Sequence, residues 1–246
     1  MPPGAPWLMV QADAIWNRAR ADLIIVDERG QQDSYLWEHA QRVARCAQLV
    51  ARLPEVRKQN PDDAAVLAAA LYHDAGWVMR LRESSVARAQ ILNRAGSEAH
   101  RSLGAQLMEK QLEGLLPAES LRRASRAIRS LNERQIDTIE GQIVTDAENL
   151  NEVGLLSLWP IIRRGAEEGK DIESVLRTWQ RQKEFRFWDA RLKDAFRFDA
   201  VRRLAERRLE RFGHFMQELE EQHASADLRL LIEERTPRPA DTPTPT

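Results

Sequence analysis

The sequence contains very little cysteine, glycine or proline. Cys46 is the only cysteine among 246 residues, so an internal disulfide is impossible, and we expect a protein of a reducing compartment. Cys46 itself is interpreted as a small buried apolar residue. Glycine and proline number 11 each, and this low content excludes collagen-like and other fibrous chains.

Charge of one sign and long apolar runs are missing as well. The 37 lysines and arginines nearly balance the 38 aspartates and glutamates, so neither nucleic acid nor an anionic membrane is an expected partner. The apolar runs, such as Leu23–Val26 and Ala64–Tyr72, are far shorter than the roughly 20 residues of a membrane span. Met1–Val10 lacks the features of a secretory signal. We therefore expect a soluble, cytoplasmic protein.

Helical periodicity dominates the chain, and the alternation typical of β-strands is almost absent. This pattern predicts an all-α fold. A proline, Pro160, is expected to interrupt the segment after Gly154. The predicted helices run approximately over Ser34–Arg52, Pro61–Met79, Ser97–Leu115, Pro117–Leu131, Thr138–Glu152, Asp171–Phe187 and Asp199–Gln222.

The same pattern divides the chain into four parts. An N-terminal helical segment covers residues 1–30, and the core domain covers residues 31–160. Helices of residues 161–225 are expected to pack on the core. Residues 226–246 end in a stretch rich in proline and threonine with few apolar anchors, so we predict that they form a disordered tail.

Four ionisable side chains interrupt the predicted apolar faces of three helices. They are His39, His73, Asp74 and Asp146. Asp146, for example, follows Ile139 by seven residues and so continues its stripe. A buried charge without a partner costs several kcal/mol, and one shared ion would satisfy all four groups. Two imidazoles and two carboxylates suit Mn²⁺, Fe²⁺, Co²⁺ or Zn²⁺, and six-coordination leaves room for water and a substrate oxygen.

Simpler interpretations exist for single members of this set. His39 alone could be a hydrogen-bonded core histidine, and Asp146 alone could pair with an arginine. The adjacent His73 and Asp74 at the end of an alanine-rich helix are harder to explain in that way. All four together favour a metal site.

The order and spacing of these residues resemble the HD-domain metal-dependent phosphohydrolases. His39 and His73 are 34 residues apart, and 72 residues separate Asp74 from Asp146. The flanking segments WEHAQRVARCA and LAAALYHDAG resemble the family's first-histidine helix and its apolar run into the His-Asp dipeptide. Two later segments, IVTDAENLNEVG and LAERRLERFGHFMQEL, are similar to segments of the small bacterial single-domain HD hydrolases. The resemblance covers roughly residues 31–222 and implies an HD-domain helical bundle with a C-terminal helical extension.

The resemblance also implies roles for individual residues. His39, His73, Asp74 and Asp146 would be the ligands of a divalent ion, which could be Mn, Fe, Co, Ni, Zn or Mg. Asp74 and His100 would be catalytic, His100 by contacting phosphate or protonating the leaving group, and Arg42 would bind a substrate phosphate. Both residues have a simpler interpretation: Arg42 could be a surface arginine, and His100 could be a solvated histidine near the start of a helix.

The implied function is hydrolysis of a phosphate ester or anhydride, with a small phosphorylated compound, in particular a nucleotide, as substrate. The sequence departs from many relatives in two places. It has no histidine near Leu131, and the first acid after Asp74 is Glu83. These departures motivate an alternative, a degenerate HD module that binds a metal or a nucleotide as a sensor or interaction protein without significant turnover.

Overall fold

The computed structural model of the protein describes residues 6–26, 30–83, 91, 97–131, 133 and 135–235. Two short strands, β1 (Ile25–Val26) and β2 (Gln32–Asp33), pair antiparallel. The other regular elements in the described residues are helices, which confirms the predicted all-α class. The helices are α1 (Pro6–Leu23), α2 (Tyr35–Val50), α3 (Pro54–Arg57), α4 (Asp63–Tyr72), α5 (Gly76–Arg82), α6 (Glu98–Leu112), α7 (Ala118–Ser130), α8 (Ile139–Asn151), α9 (Leu158–Glu167), α10 (Ile172–Glu184), α11 (Phe187–Asp194), α12 (Asp199–His223) and α13 (Ala226–Arg235).

Several helices begin where a side chain satisfies the first free backbone N–H groups. Asp62 accepts hydrogen bonds from the N–H groups of Ala64 and Ala65, both at 3.0 Å, and starts α4. Ser97, Thr138 and Asp171 act in the same way for α6, α8 and α10. These starts agree with the predicted ones to within a few residues, because capping is a local property of the sequence. Among the described helices, none is both long and apolar enough to cross a membrane.

The single helix predicted over Pro61–Met79 is wrong. The structure has two helices, α4 and α5, joined by a tight turn at residues 73–75. In this turn the N–H of Ala75 donates to the carbonyl of Tyr72 at 3.0 Å, three residues back instead of four. The turn interrupts the α-helical hydrogen bonding at the His-Asp pair, which periodicity alone does not reveal.

Two further expectations need correction. Pro160 does not interrupt the chain but lies inside the first turn of α9, where a missing N–H costs no hydrogen bond. Residues 226–235, assigned to the disordered tail, form α13, a helix whose residues are all partly or fully exposed. The predicted disorder of Thr236–Thr246 lies outside the described residues.

The core is built around α4, which contacts α1, α2, α6, α7 and α8. Every side chain from Ala65 to Tyr72 is buried. Four alanines in this stretch let the neighbouring helices approach closely, and Leu67 and Leu71 fill the space between them. A helix buried on all sides forms a rigid base for the residues that follow it.

The helices that follow α8 form a looser layer. A small second cluster comprises Leu176, Trp179, Phe212 and Met216, with the rings of Trp179 and Phe212 5.0 Å apart. The layer reaches the core through Phe196 and Phe198, which precede α12, and through the first turns of α12. The predicted C-terminal helices therefore exist, and part of them packs on the core.

Candidate metal centre

Two adjoining elements bring three of the predicted ligands together. His39 lies on the buried face of α2, and its side chain is almost completely inaccessible. His73 directly follows Tyr72, the last residue of α4, and caps the helix; Asp74 comes next, in the turn before α5. Because α2 and α4 pack closely against each other, the two imidazoles face each other across the helix interface.

The three donor atoms form a compact triangle. The Nε2 atoms of His39 and His73 are 3.1 Å apart, and Oδ2 of Asp74 lies 3.6 Å from the first and 3.5 Å from the second. Ligand atoms bonded to one ion at about 2.0–2.2 Å lie about 3.3–3.6 Å from one another in a tetrahedral site and about 2.8–3.1 Å apart at neighbouring positions of an octahedral site. The triangle is therefore close to the size that a divalent ion requires. Among the described residues, this set is the His/Cys/Asp/Glu group with metal-binding spacing.

The orientation of His73 is fixed by its own helix. Its Nδ1 donates a hydrogen bond to the carbonyl of Ala70 at 2.8 Å. A carbonyl only accepts, so the ring proton is on Nδ1 and Nε2 presents a lone pair to the triangle. The residue before it, Tyr72, donates to Asp22 of α1 at 2.7 Å, which ties the end of α4 to α1. Such contacts hold a ligand in its binding orientation.

Asp74 provides a direct test of whether a metal fits. Its Oδ2 is buried and has no hydrogen-bond partner among the described residues. A buried carboxylate oxygen without a partner is costly, and two Nε2 atoms beyond hydrogen-bonding distance do not satisfy it. A cation between these three atoms would satisfy the oxygen and both nitrogens together, so the donor set fits a divalent ion.

Asp146, the fourth predicted ligand, is in a different environment. It lies on α8 and is completely buried, yet it is not part of the triangle. Its Oδ1 accepts from the N–H of Arg197 at 2.7 Å, and its Oδ2 accepts from the N–H of Phe198 at 3.0 Å. Burial raises the pKa of this carboxyl to about 6, although the two hydrogen bonds oppose the shift. In the structure, Asp146 holds the start of α12 against the core.

His100 lies in the first turn of α6, as predicted, but it is buried and not solvated. Its ring lies against that of Trp77, with the centroids 4.0 Å apart and the two planes tilted by 41°. Its Nδ1 lies 2.8 Å from Oγ of Ser97, and its Nε2 is buried without a partner among the described residues. Burial lowers the pKa of this imidazole, the positive charge of Arg80 lowers it further, and the charge of Asp74 acts in the opposite direction.

Two glycines bring His100 close to the His-Asp turn. A Cβ on Gly76 would collide with the backbone carbonyl of His100, and a Cβ on Gly104 would lie 2.9 Å from the carbonyl of Tyr72. Only glycine permits this close packing of α5 and α6. Helical periodicity and the family resemblance did not single out these two glycines, nor Trp77 and Ser97, as residues of the site. Two features of the sequence could have indicated this packing: the glycine two residues after Asp74 and the serine three residues before His100.

Arg42 lies one helical turn after His39 and lines a groove of about 390 Å³ between α2, α8 and α12. The groove is mainly aliphatic, and its walls include Leu49, Leu150 and Leu204, with Cys46 at its side. Cys46 is half-buried and not fully buried as the sequence analysis expects, and burial raises the pKa of its thiol to about 11. The substrate-binding role of Arg42 stays a prediction.

Part of the chain matches a known protein family. The family model of the HD domain matches residues 36–152, a range that contains all four predicted ligands. The comparison with curated proteins found no significant match.

Several solved structures have a fold similar to that of most of this chain. One is YpgQ of Bacillus subtilis in complex with ADP, with 23% identity, a TM-score of 0.57 and coverage of 88% of this chain and 96% of that chain. The Lin1889 protein of Listeria innocua is 18% identical, with a TM-score of 0.54 and coverage of 87% and 97%. A predicted HD superfamily hydrolase from an uncultured Thermotogales bacterium is also 18% identical, with a TM-score of 0.52 and coverage of 85% and 91%. Residues 36–152 therefore match the HD-domain family, and the solved structures show that most of the chain has a similar fold.

Proposed function

We propose that this protein is a metal-dependent phosphohydrolase that acts on a phosphate ester or anhydride. The observation that carries the proposal is the triangle of His39, His73 and Asp74, with donor atoms 3.1–3.6 Å apart and one carboxylate oxygen left without a partner. Three protein ligands leave other positions of an ion open, which is typical of catalytic sites and not of structural ones.

A bound divalent ion would polarise a phosphoryl oxygen and supply an activated water. The side chains around it have separate tasks in this proposal. Asp74, whose side chain is 17% exposed against 1% for each histidine, orients the attacking water through its second oxygen. His100, close enough to Asp74 for their charges to interact, donates a proton or a hydrogen bond to the phosphate. Arg42 binds an anionic part of the substrate, because its guanidinium matches phosphate oxygens.

The substrate in this proposal is a nucleotide or a similar small phosphorylated compound. Support comes from YpgQ, whose fold is similar and which was solved with ADP. Asp146 stays a predicted fourth ligand. Its two oxygens each accept one backbone N–H, and a carboxylate has further lone pairs for an ion.

The test is a hydrolysis assay with nucleoside mono-, di- and triphosphates and a general phosphatase substrate, each with Mn²⁺, Co²⁺, Ni²⁺, Zn²⁺ and Mg²⁺. We expect metal-dependent release of phosphate or pyrophosphate from at least one substrate, and loss of that activity in His73→Ala. Arg42→Ala should retain the metal and weaken turnover, substrate binding or both. Stoichiometric metal and nucleotide binding without turnover would contradict the proposal and favour the alternative, a sensor module.

A further inference from the structure

Ser97 and His100 form a pair that the proposed function does not explain. Oγ of Ser97 is 2.8 Å from Nδ1 of His100, and the same oxygen accepts the backbone N–H of His100 at 3.4 Å. Ser97 therefore caps α6 and contacts the imidazole at the same time. The opposite ring atom, Nε2, is buried and has no partner among the described residues.

The position of the His100 ring is fixed from three sides. Trp77 covers one face of the ring, with an angle of 41° between the two planes. The missing side chain of Gly76 lets the backbone of His100 approach the His-Asp turn. Ser97 holds Nδ1. A ring fixed in this way has little freedom to reorient, so the location of its proton decides what Nε2 offers to a ligand.

The hydrogen bonds of Ser97 favour one location of that proton. If Nδ1 carried the proton, Oγ would face two donors, the backbone N–H and Nδ1–H, and its own hydrogen would need another acceptor. If instead the Ser97 hydroxyl donates to Nδ1, the contact between Oγ and Nδ1 needs no further acceptor, and Nε2 is the one polar atom of the pair that lacks a partner among the described residues. The imidazole proton is then on Nε2.

We propose that Ser97 is a positioning residue that holds His100 in its Nε2–H form, as a neutral hydrogen-bond donor to an oxyanion bound beside Asp74. The anion class is phosphate, so this assignment rests on the proposed function for its use, although not for the geometry. Two buried atoms without partners, Oδ2 of Asp74 and Nε2 of His100, are an acceptor and a donor respectively. A cation satisfies the first, and an oxygen of a phosphate on that cation satisfies the second.

The direct test is the tautomer of His100, read from the ¹⁵N chemical shifts of its ring nitrogens in protein labelled at its five histidines. His100→Gln assigns the signals. We expect protonated Nε2 and unprotonated Nδ1 in the wild type, with and without Mg²⁺. Ser97→Gly should shift His100 toward the Nδ1–H form, and Ser97→Thr should restore the wild-type signals. Addition of inorganic phosphate to the Mg²⁺-loaded wild type should shift Nε2 more than Nδ1.

The variants separate this role from helix capping. Glycine at a capping position costs only a few tenths of a kcal/mol, so Ser97→Gly should fold. Thr138→Gly removes the matching hydroxyl cap of α8 and should leave the signals of His100 unchanged. A wild-type His100 protonated on Nδ1, or a Ser97→Gly protein with unchanged His100 signals, would overturn the proposal.

Activity adds a second readout. Ser97→Gly should lower kcat about tenfold or more with a smaller change in KM, as loss of a proton donor does, and Ser97→Thr should recover most of it. If the tautomer behaves as expected but no substrate is hydrolysed, the proposed function fails and the role of Ser97 in fixing the tautomer stands. If hydrolysis occurs and the tautomer is the opposite one, only the assignment of Ser97 fails.

Discussion

The core domain and the helices that follow it are stabilised in different ways. In the core, α4 is buried from Ala65 to its last residue, Tyr72, and five neighbouring helices contact it. In the C-terminal layer, large apolar side chains remain in solvent: Trp159 is 57% exposed, Ile162 54% and Phe185 75%. The layer has a small apolar cluster of its own, and only part of it contacts the core.

Polar contacts to α8 supply much of the connection between the two regions. Asp146 accepts the N–H groups of Arg197 and Phe198, and Nδ2 of Asn149 donates to the carbonyl of Ala195 at 2.9 Å. Arg208 of α12 donates to the carbonyl of Leu150 at 2.8 Å. The metal triangle thus depends on close apolar packing in the core, whereas the C-terminal layer is attached both by hydrogen bonds at α8 and by the apolar contacts of Phe196, Phe198 and the start of α12.

The largest expected effect is the loss of metal from the core. His73→Ala removes one donor of the triangle, so metal affinity should fall at least 100-fold, and added Mn²⁺ should no longer raise Tm. For the wild type, an ion at 100 times its Kd adds about 2.7 kcal/mol to the free energy of unfolding. Thermal melts with and without metal, together with elemental analysis, measure both effects. The control is His214→Ala on the exposed part of α12, which should behave as wild type.

A pair of glycine substitutions compares the packing of the two regions. Gly76→Ala forces a Cβ into the backbone of His100 and should destabilise the protein by about 1–3 kcal/mol or more. Gly165→Ala in α9 has its nearest neighbour at 3.8 Å, in Lys170. Because alanine is the better helix former, this change should be neutral or stabilising by up to about 1 kcal/mol. Equal effects in denaturant unfolding would contradict the contrast between the regions.

The contact at α8 is tested by Asp146→Asn. The amide can accept only one of the two N–H groups in a fully buried position, so stability should fall by about 1–3 kcal/mol. If Asp146 is also a metal ligand, metal occupancy and activity should fall as well. A loss of metal without a loss of stability in the metal-free protein would show that its main role is in the metal site.

The titration of Asp146 makes the stability of the wild type, but not that of Asp146→Asn, depend on pH. The pKa of Asp146 rises from 3.8 to about 6 on folding, so between these values the folded state binds more protons than the unfolded state. The stabilisation that this shift provides is complete below about pH 3.8 and is lost as the pH rises through about 6. In the metal-free protein, the stability difference between wild type and Asp146→Asn should therefore shrink from pH 4 to pH 7 in urea titrations.

The smallest effect belongs to the exposed surface of the C-terminal layer. Trp159→Ser should change the free energy of unfolding by no more than about 0.5 kcal/mol, because the indole is mostly in solvent. Leu71→Ala in α4 should cost about 2–5 kcal/mol, since a fully buried side chain is lost. A large cost at Trp159 would mean that α9 contributes to stability in a way that its exposure does not indicate.

Helical periodicity and capping residues were sufficient to predict the class, most helix positions and the burial of His39, His73 and Asp146. These features depend on neighbours in sequence, so a single chain reveals them. The turn at residues 73–75 and the environment of Asp146 depend on contacts across the fold. Asp146 met the spacing expected of a ligand, but the residues that bind its oxygens lie about 50 positions later. No local pattern indicates such a contact.

The central claim is that His39, His73 and Asp74 together bind a divalent ion. The most direct measurement is anomalous diffraction from crystals of the full chain grown with Mn²⁺ and recorded near the manganese edge. One anomalous peak should lie within about 2.3 Å of Nε2 of both histidines and of an Asp74 oxygen. The same crystals of His73→Ala should lack it. A peak elsewhere in the protein, or an empty triangle in Mn²⁺-saturated wild-type crystals, would contradict the account.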